Sequence, residues 1–232
     1  MNPPVIRDEL GLLDGLVDLA RHPRVIELGC GAAQLSRRLL ERFEGTEVTA
    51  LEVDERQHAK NLASPQARLT FVAAGAQAIP FEAGRFDLAL MLKSLHHVPL
   101  DLLDQALAEV HRVLRPGGHL YVSEPVYAGE LNQITRLFND EGQVRAAAQA
   151  ALDRALAAGQ WEPAAELRFE VPVQYADFAD FERRMLDVTY AERQLDDALR
   201  QRVRALFEPH VGPGGAHFKR PMHARLLRKP GS

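Results

Sequence analysis

Residues 24–34 read RVIELGCGAAQ. An apolar run closes on Gly29, a second glycine follows at Gly31, and a helical pattern opens at Gln34. Apolar residues in close succession suit a strand buried on both faces. The two glycines let the backbone turn tightly and approach a ligand without a Cβ in the way. A strand, a glycine turn and a helix in that order form the first half of a βαβ unit.

Four further runs have the same character: EVTALEV (47–53), LTFVAA (69–74), FDLALML (86–92) and HLYVSEP (119–125). Helical patterns at Gln34–Arg42, Arg56–Ala63 and Leu100–Leu114 separate them, and Arg115-Pro116-Gly117-Gly118 stops the last of these helices. This alternation predicts an α/β fold, an open and mostly parallel sheet with helices on both faces. After Pro125 the character changes. Residues 129–159 read as helical, Leu167–Tyr175 as a strand, Phe178–Leu206 as helical, His210–Ala216 as a turn or loop, and His223–Arg228 as a last, antiparallel strand. The expectation is a single domain over 1–232. Residues 20–125 form its core, 126–165 a helical lid over the strand tips where open sheets bind ligands, and 166–232 the elements that complete a seven-stranded sheet.

Composition narrows the class. The chain has 232 residues, 46% of them hydrophobic and 26% charged, which is ordinary globular usage. A net charge of −4 argues against a general nucleic-acid surface. One cysteine excludes an internal disulfide and a cysteine-rich zinc site. The N-terminal stretch lacks a signal-peptide pattern and no apolar run is long enough to span a bilayer, so the sequence reads as a cytoplasmic protein without membrane attachment.

Two carboxylates frame the glycine turn. Glu27 lies two residues before Gly29, where it favours a ligand with a cationic amino group and repels a diphosphate. Gln34 stands where a dinucleotide fingerprint needs glycine or alanine, which disfavours a nicotinamide dehydrogenase. Glu52 ends the second strand 21 residues after Gly31, a position from which a carboxylate can accept both hydroxyls of a ribose. Together these features describe a nucleoside with a positively charged amino-acid tail.

At this point the sequence resembles the class I S-adenosylmethionine-dependent methyltransferases, in particular the small-molecule group with a type 11 domain. The resemblance covers about residues 20–125. It rests on VIELGCGAAQLSRRL, VTALEVDE, AGAQAIPFEAGRFDLAL, LHHV and VLRPGGHLYVSEP in that order. It implies a Rossmann-like fold and S-adenosylmethionine as cofactor. Glu27, Gly29, Cys30, Gly31 and Gln34 would lie along its methionine side, with Met91 also in the cofactor site. Glu52 would hold the ribose, Val53 would pack on adenine, and Ala76 and Gln77 would meet the adenine edge. Two positions depart from the family's pattern. Ala33 replaces a third glycine, and Gly75 replaces an acidic residue that contacts the adenine amino group, so adenine is expected to lean on backbone groups or on Gln77.

The acceptor side is less marked. Candidates past the fourth and fifth strands are His97, Lys93, Glu124 and Tyr127, with His97 preferred to His96 as the histidine facing substrate. Lys93 could hold a carboxylate or phosphate of the substrate. Cys30 is read as a small side chain and not a nucleophile. No metal site is expected, and the arginines of 183–204 are read as a solvated helix face. The resulting expectation is methyl transfer to a small-molecule O, N or C acceptor. The alternatives are a tRNA or protein methyltransferase and a non-catalytic cofactor-binding protein. The oligomeric state is left open.

Overall fold

A computed structural model describes residues 3–186 and 196–231. Two compact units share the chain. The larger comprises residues 8–124, 144–167 and 223–232, the smaller residues 1–7, 125–143 and 168–222.

The larger unit is built on a sheet. Its strands are β1 (Arg24–Leu28), β2 (Glu47–Leu51), β3 (Leu69–Val72), β4 (Phe86–Leu92) and β5 (Leu114–Pro125). Helices α1 (Glu9–Val17), α2 (Gln34–Arg42), α3 (Glu55–Leu62) and α4 (Leu103–Val113) separate or flank them. The strand order is β3-β2-β1-β4-β5-β8-β6, with β6 (Glu162–Tyr175) and β8 (Gly215–Arg228) entering this unit through residues 162–167 and 223–228. Strands β1 to β5 are parallel, and the C-terminal strands run antiparallel. The order turns back between β1 and β4, so the crevice at their C-terminal tips is the topological switch point where open sheets bind ligands.

Burial explains the order. In β1, Val25, Ile26, Glu27 and Leu28 are all buried, and in β4 every residue from Phe86 to Met91 is buried, as befits strands covered on both faces. The interior position of Asp87 in β4 is stabilised from the strand's N-terminal side. Its carboxylate accepts the Arg24 backbone N–H at 2.9 Å and bonds the guanidinium groups of Arg24 and Arg115. Asp54 caps α3 by accepting the N–H groups of Arg56 and Gln57.

Several boundaries differ from the sequence reading. Helix α1 went unmarked, because its apolar residues Leu10, Leu13 and Val17 give only a short stripe. The Arg115–Gly118 stretch ends α4 as expected but also begins β5, since Leu114 already pairs with Phe86. Residues 126–165 do not form one helical insertion. Helix α5 (Glu130–Thr135) belongs to the smaller unit and most of α6 (Gly142–Ala157) to the larger. Ala148, Ala151, Leu152 and Ala155 recur on one face of α6 and are buried in the core of the larger unit with Trp161, the packing of a helix that covers a sheet.

The smaller unit has its own aromatic core. Tyr175, Phe178, Phe181, Phe207 and Phe218 pack with ring centroids between 5.0 and 6.1 Å apart, and Leu131 and Ile134 of α5 join them. Its further elements are α7 (Phe178–Phe181), continued by a π-type turn over Glu182–Leu186, then α8 (Asp197–Phe207) and the two-residue β7 (Val211–Gly212), which pairs antiparallel with β8. The middle of the helical stretch read over 178–206 lies outside the described residues. Among the described residues no helix is long and apolar enough to cross a membrane.

Candidate cofactor and acceptor site

The tip of β1 turns sharply. Gly29 and Gly31 have φ of +72° and +53°, and Ala33 adopts +53° as the residue before α2. Gly29 and Cys30 both donate their N–H to the Leu51 carbonyl, at 3.0 and 2.9 Å, which fastens the turn to β2. A Cβ on Gly29 would stand 2.7 Å from the Ser94 Cβ, so glycine is required here by space as well as by φ. Gly29→Ala is expected to cost about 2 kcal/mol or more of folding stability, measured by urea unfolding. Ser94→Gly in the same chain should restore only the part due to the clash. At Gly31, by contrast, nothing among the described residues beyond its chain neighbours lies within 4 Å of a would-be Cβ.

The side chains read from the sequence as cofactor-binding mostly gather at this turn. Glu52 is buried, and each of its oxygens accepts one backbone N–H, from Gly31 at 2.8 Å and from Asp54 at 2.9 Å. Val53, next in the chain, is an apolar side chain left 67% exposed at the strand tip. Gln34 is exposed in the first turn of α2. Ala76 is buried, and the Gln77 carboxamide folds back over Gly75, with Oε1 2.5 Å from where a Cβ would stand. The loss of the acid at position 75 and the presence of glutamine at 77 are thus one structural feature. Any side chain at 75 would have to displace that carboxamide.

Glu27 is buried and accepts the Ser36 hydroxyl of α2. Burial pushes its carboxyl up to about 7, helped by the nearby Glu52 charge and opposed by Ser36 and the Lys93 charge. Between its ordinary value of 4.5 and about 7, native Glu27 keeps a proton that the unfolded chain has released. The contribution of this group to stability therefore falls as pH rises through that window. The Cys30 thiol is pushed up to about 12, first by burial and then by Glu27 and Glu52, which excludes it as a nucleophile near neutrality. Met91 is 1% exposed and packs in the core of the larger unit.

The acceptor candidates separate. Lys93 is exposed just past β4 in a left-handed conformation at φ +57°, with its N–H donated to the Ser123 carbonyl at 2.7 Å. Glu124, near the end of β5, is buried. It accepts the Leu95 N–H at 2.9 Å through one oxygen and pairs with Nδ1 of His96 through the other. His96 is buried, and His97, preferred from the sequence, is the exposed member of the pair, its ring 4.0 Å from that of His96. Tyr127 belongs to the smaller unit, where its hydroxyl donates to Asp140 at 2.8 Å. No pattern in the sequence marked Ser36 or Asn61, because each acts through a partner outside its own element, or Ser94, which meets the turn by its approach to Gly29.

The arrangement suits a nucleoside with a cationic tail. A carboxylate with one backbone donor on each oxygen keeps lone pairs for a diol. The open space at Gly31, the exposed apolar Val53 and the buried Ser94 hydroxyl, which makes no hydrogen bond among the described residues, border the same turn. Comparison with known proteins agrees. Residues 25–118 match the family described as a methyltransferase domain. A malonyl-[acyl-carrier protein] O-methyltransferase of Pseudescherichia vulneris is 37% identical over 112 residues, covering 48% of this chain and 43% of that protein. A ubiquinone/menaquinone biosynthesis C-methyltransferase of Allorhizobium ampelinum is 34% identical over 110 residues, covering 44% and 41%. The chain spans less than half the length of these curated relatives. The YcgJ protein of Bacillus subtilis shares the fold, with a TM-score of 0.69 at 16% identity over 96% of this chain and 98% of that one. Residues 25–118 are therefore similar to a methyltransferase domain.

Proposed function

We propose that this chain methylates a small molecule at an oxygen or carbon that must give up a proton to react. The observation that carries this reading is the buried His96–Glu124 pair beside the tips of β4 and β5. The role proposed for the His96 ring, held at Nδ1 by Glu124, is to take the acceptor's proton. The Leu95 N–H in turn fixes Glu124. The two relatives above carry names that specify transfer to oxygen and to carbon.

S-adenosylmethionine supplies a methyl group already activated on a sulfonium. The residues of the chain bind, orient and exclude water. Glu52 would accept the ribose hydroxyls, Val53 would pack on the adenine, the Gln77 carboxamide would serve the edge left by Gly75, and Glu27 would meet the amino group of the tail. Gly29, Cys30 and Gly31 admit the backbone of the turn to van der Waals distance, and Gln34 lies at the mouth. Lys93 holds an anionic group of the acceptor. Because Glu27 is raised to about 7, binding of the cationic tail expels its proton. The affinity for S-adenosylhomocysteine should rise about tenfold from pH 6 to pH 8, with proton release visible as a buffer-dependent calorimetric enthalpy below pH 7.

The test is methyl transfer from labelled cofactor into a metabolite extract of the native host, with products identified by mass spectrometry. Label in an O- or C-methyl group supports the reading. Label confined to nitrogen, or to tRNA or protein, overturns it.

A further inference from the structure

Helix α3 contributes more than the cap at its start. Asn61, in its last turn, is 3% exposed and donates from Nδ2 to the Gly31 carbonyl at 2.8 Å. Its Oδ1 accepts from Gln57 Nε2 one turn earlier at 2.9 Å, so the amide has only one orientation that satisfies both neighbours. The Gln57 backbone N–H donates to Asp54 Oδ1 at 3.0 Å, and the Asp54 N–H donates to Glu52 Oε1 at 2.9 Å. The Gly31 N–H closes the circuit on Glu52 Oε2 at 2.8 Å. Five residues, from the glycine turn, the segment between β2 and α3, and α3 itself, thus form one closed ring of hydrogen bonds. The Gly31 residue is gripped at both ends, by Glu52 through its N–H and by Asn61 through its carbonyl.

We propose that Gln57 and Asn61 are positioning residues, which set the Glu52 carboxylate edge-on to a vicinal diol and so make the site selective for an intact ribose. This rests on the reading of the turn as a nucleoside site. Both neutral side chains are out of place as mere helix filler. Asn61 buries an amide where an apolar residue would pack at lower cost. Gln57 bonds within its own helix to a partner that no solvent need hold. The ring gives that amide pair a task. A carboxylate fixed by one donor on each oxygen cannot rotate to follow a single hydroxyl, so a ligand lacking one hydroxyl forfeits a charge-assisted bond outright. Released from the ring, the carboxylate can turn to suit either ligand.

The measurement is calorimetric affinity for S-adenosylhomocysteine and for its 2′-deoxy analogue. The wild-type chain should prefer the ribose form by about 30-fold, the worth of one charge-assisted hydrogen bond. In Asn61→Leu, which keeps the volume and removes the bonds, that preference should fall to about threefold through loss of affinity for the ribose form alone. Gln57→Leu, at a half-buried position that tolerates replacement, should lower the preference in the same direction and guards against a folding defect in the first variant. Equal loss of affinity for both ligands in the two variants would show α3 acting only as a structural support and would overturn the proposal. So would an unchanged preference. Failure of the wild-type chain to bind S-adenosylhomocysteine at all would overturn the underlying nucleoside reading instead.

Discussion

Replacing His96 by glutamine is expected to lower the rate of methyl transfer about 10³-fold and to leave the Kd for S-adenosylhomocysteine within about twofold of its starting value. That is about 4 kcal/mol of barrier, the worth of a well-placed general base. Glutamine is chosen because its amide can still bond Glu124, which would otherwise be left as an unpaired buried carboxylate. Glu124→Gln tests the same pair from the other side. Its remaining carbonyl can still accept the Leu95 N–H, but the amide offers a donor to Nδ1 and so favours the ring tautomer with the proton on Nε2. A ring protonated there cannot accept the acceptor's proton, and a loss of about 10²-fold is expected. His97→Ala, at the exposed ring, should cost less than about fivefold. The measurement is single-turnover transfer to the acceptor found by labelling. If His96→Gln kept a tenth of the rate or more, the base assignment would be lost. If cofactor affinity fell with the rate, the pair would be a structural prop.

The contrast between His96 and His97 shows where the sequence stopped being readable. Strand and helix periodicity is local, so β1 to β4 could be placed within a residue or two, and the glycine turn announced itself because glycine adopts such positive φ values at the least cost. Glu27 and Glu52 were legible for a related reason. A carboxylate at the end of a buried strand has no packing role that an apolar residue would not fill better. Nothing local distinguishes two adjacent histidines. Their difference is created by Glu124, 28 residues away on another strand, which only the sheet brings against one ring and not the other. Met91 marks a different limit. Its place near a strand tip suggested a ligand contact, but side chains alternate across a strand, and its side chain packs into the core of the larger unit. Helix α6 was visible as a helix, yet its alanine-rich face gave no sign of which surface it would cover.

Glu52→Ala is expected to weaken S-adenosylhomocysteine binding by about 100-fold or more. Two hydroxyls lose a charged acceptor, each bond contributing about 1.5–3 kcal/mol, and part of that is recovered from water at the opened site. Stability should suffer less. The N–H groups of Gly31 and Asp54 lose their acceptor, but both lie in turns at the strand tips, where water can replace it at a cost of about 1 kcal/mol. Glu52→Gln keeps the shape and one acceptor oxygen, and should fall between, at about tenfold. A graded series of wild type, glutamine and alanine in affinity, with melting temperatures nearly level, is the signature of a group that grips ligand. If alanine bound within about threefold of wild type, the diol would be held elsewhere, and the carboxylate would serve only to tie the glycine turn to β2. In that case Glu52→Ala should instead lower the melting temperature, so a thermal melt of the variant beside its affinity separates the two roles.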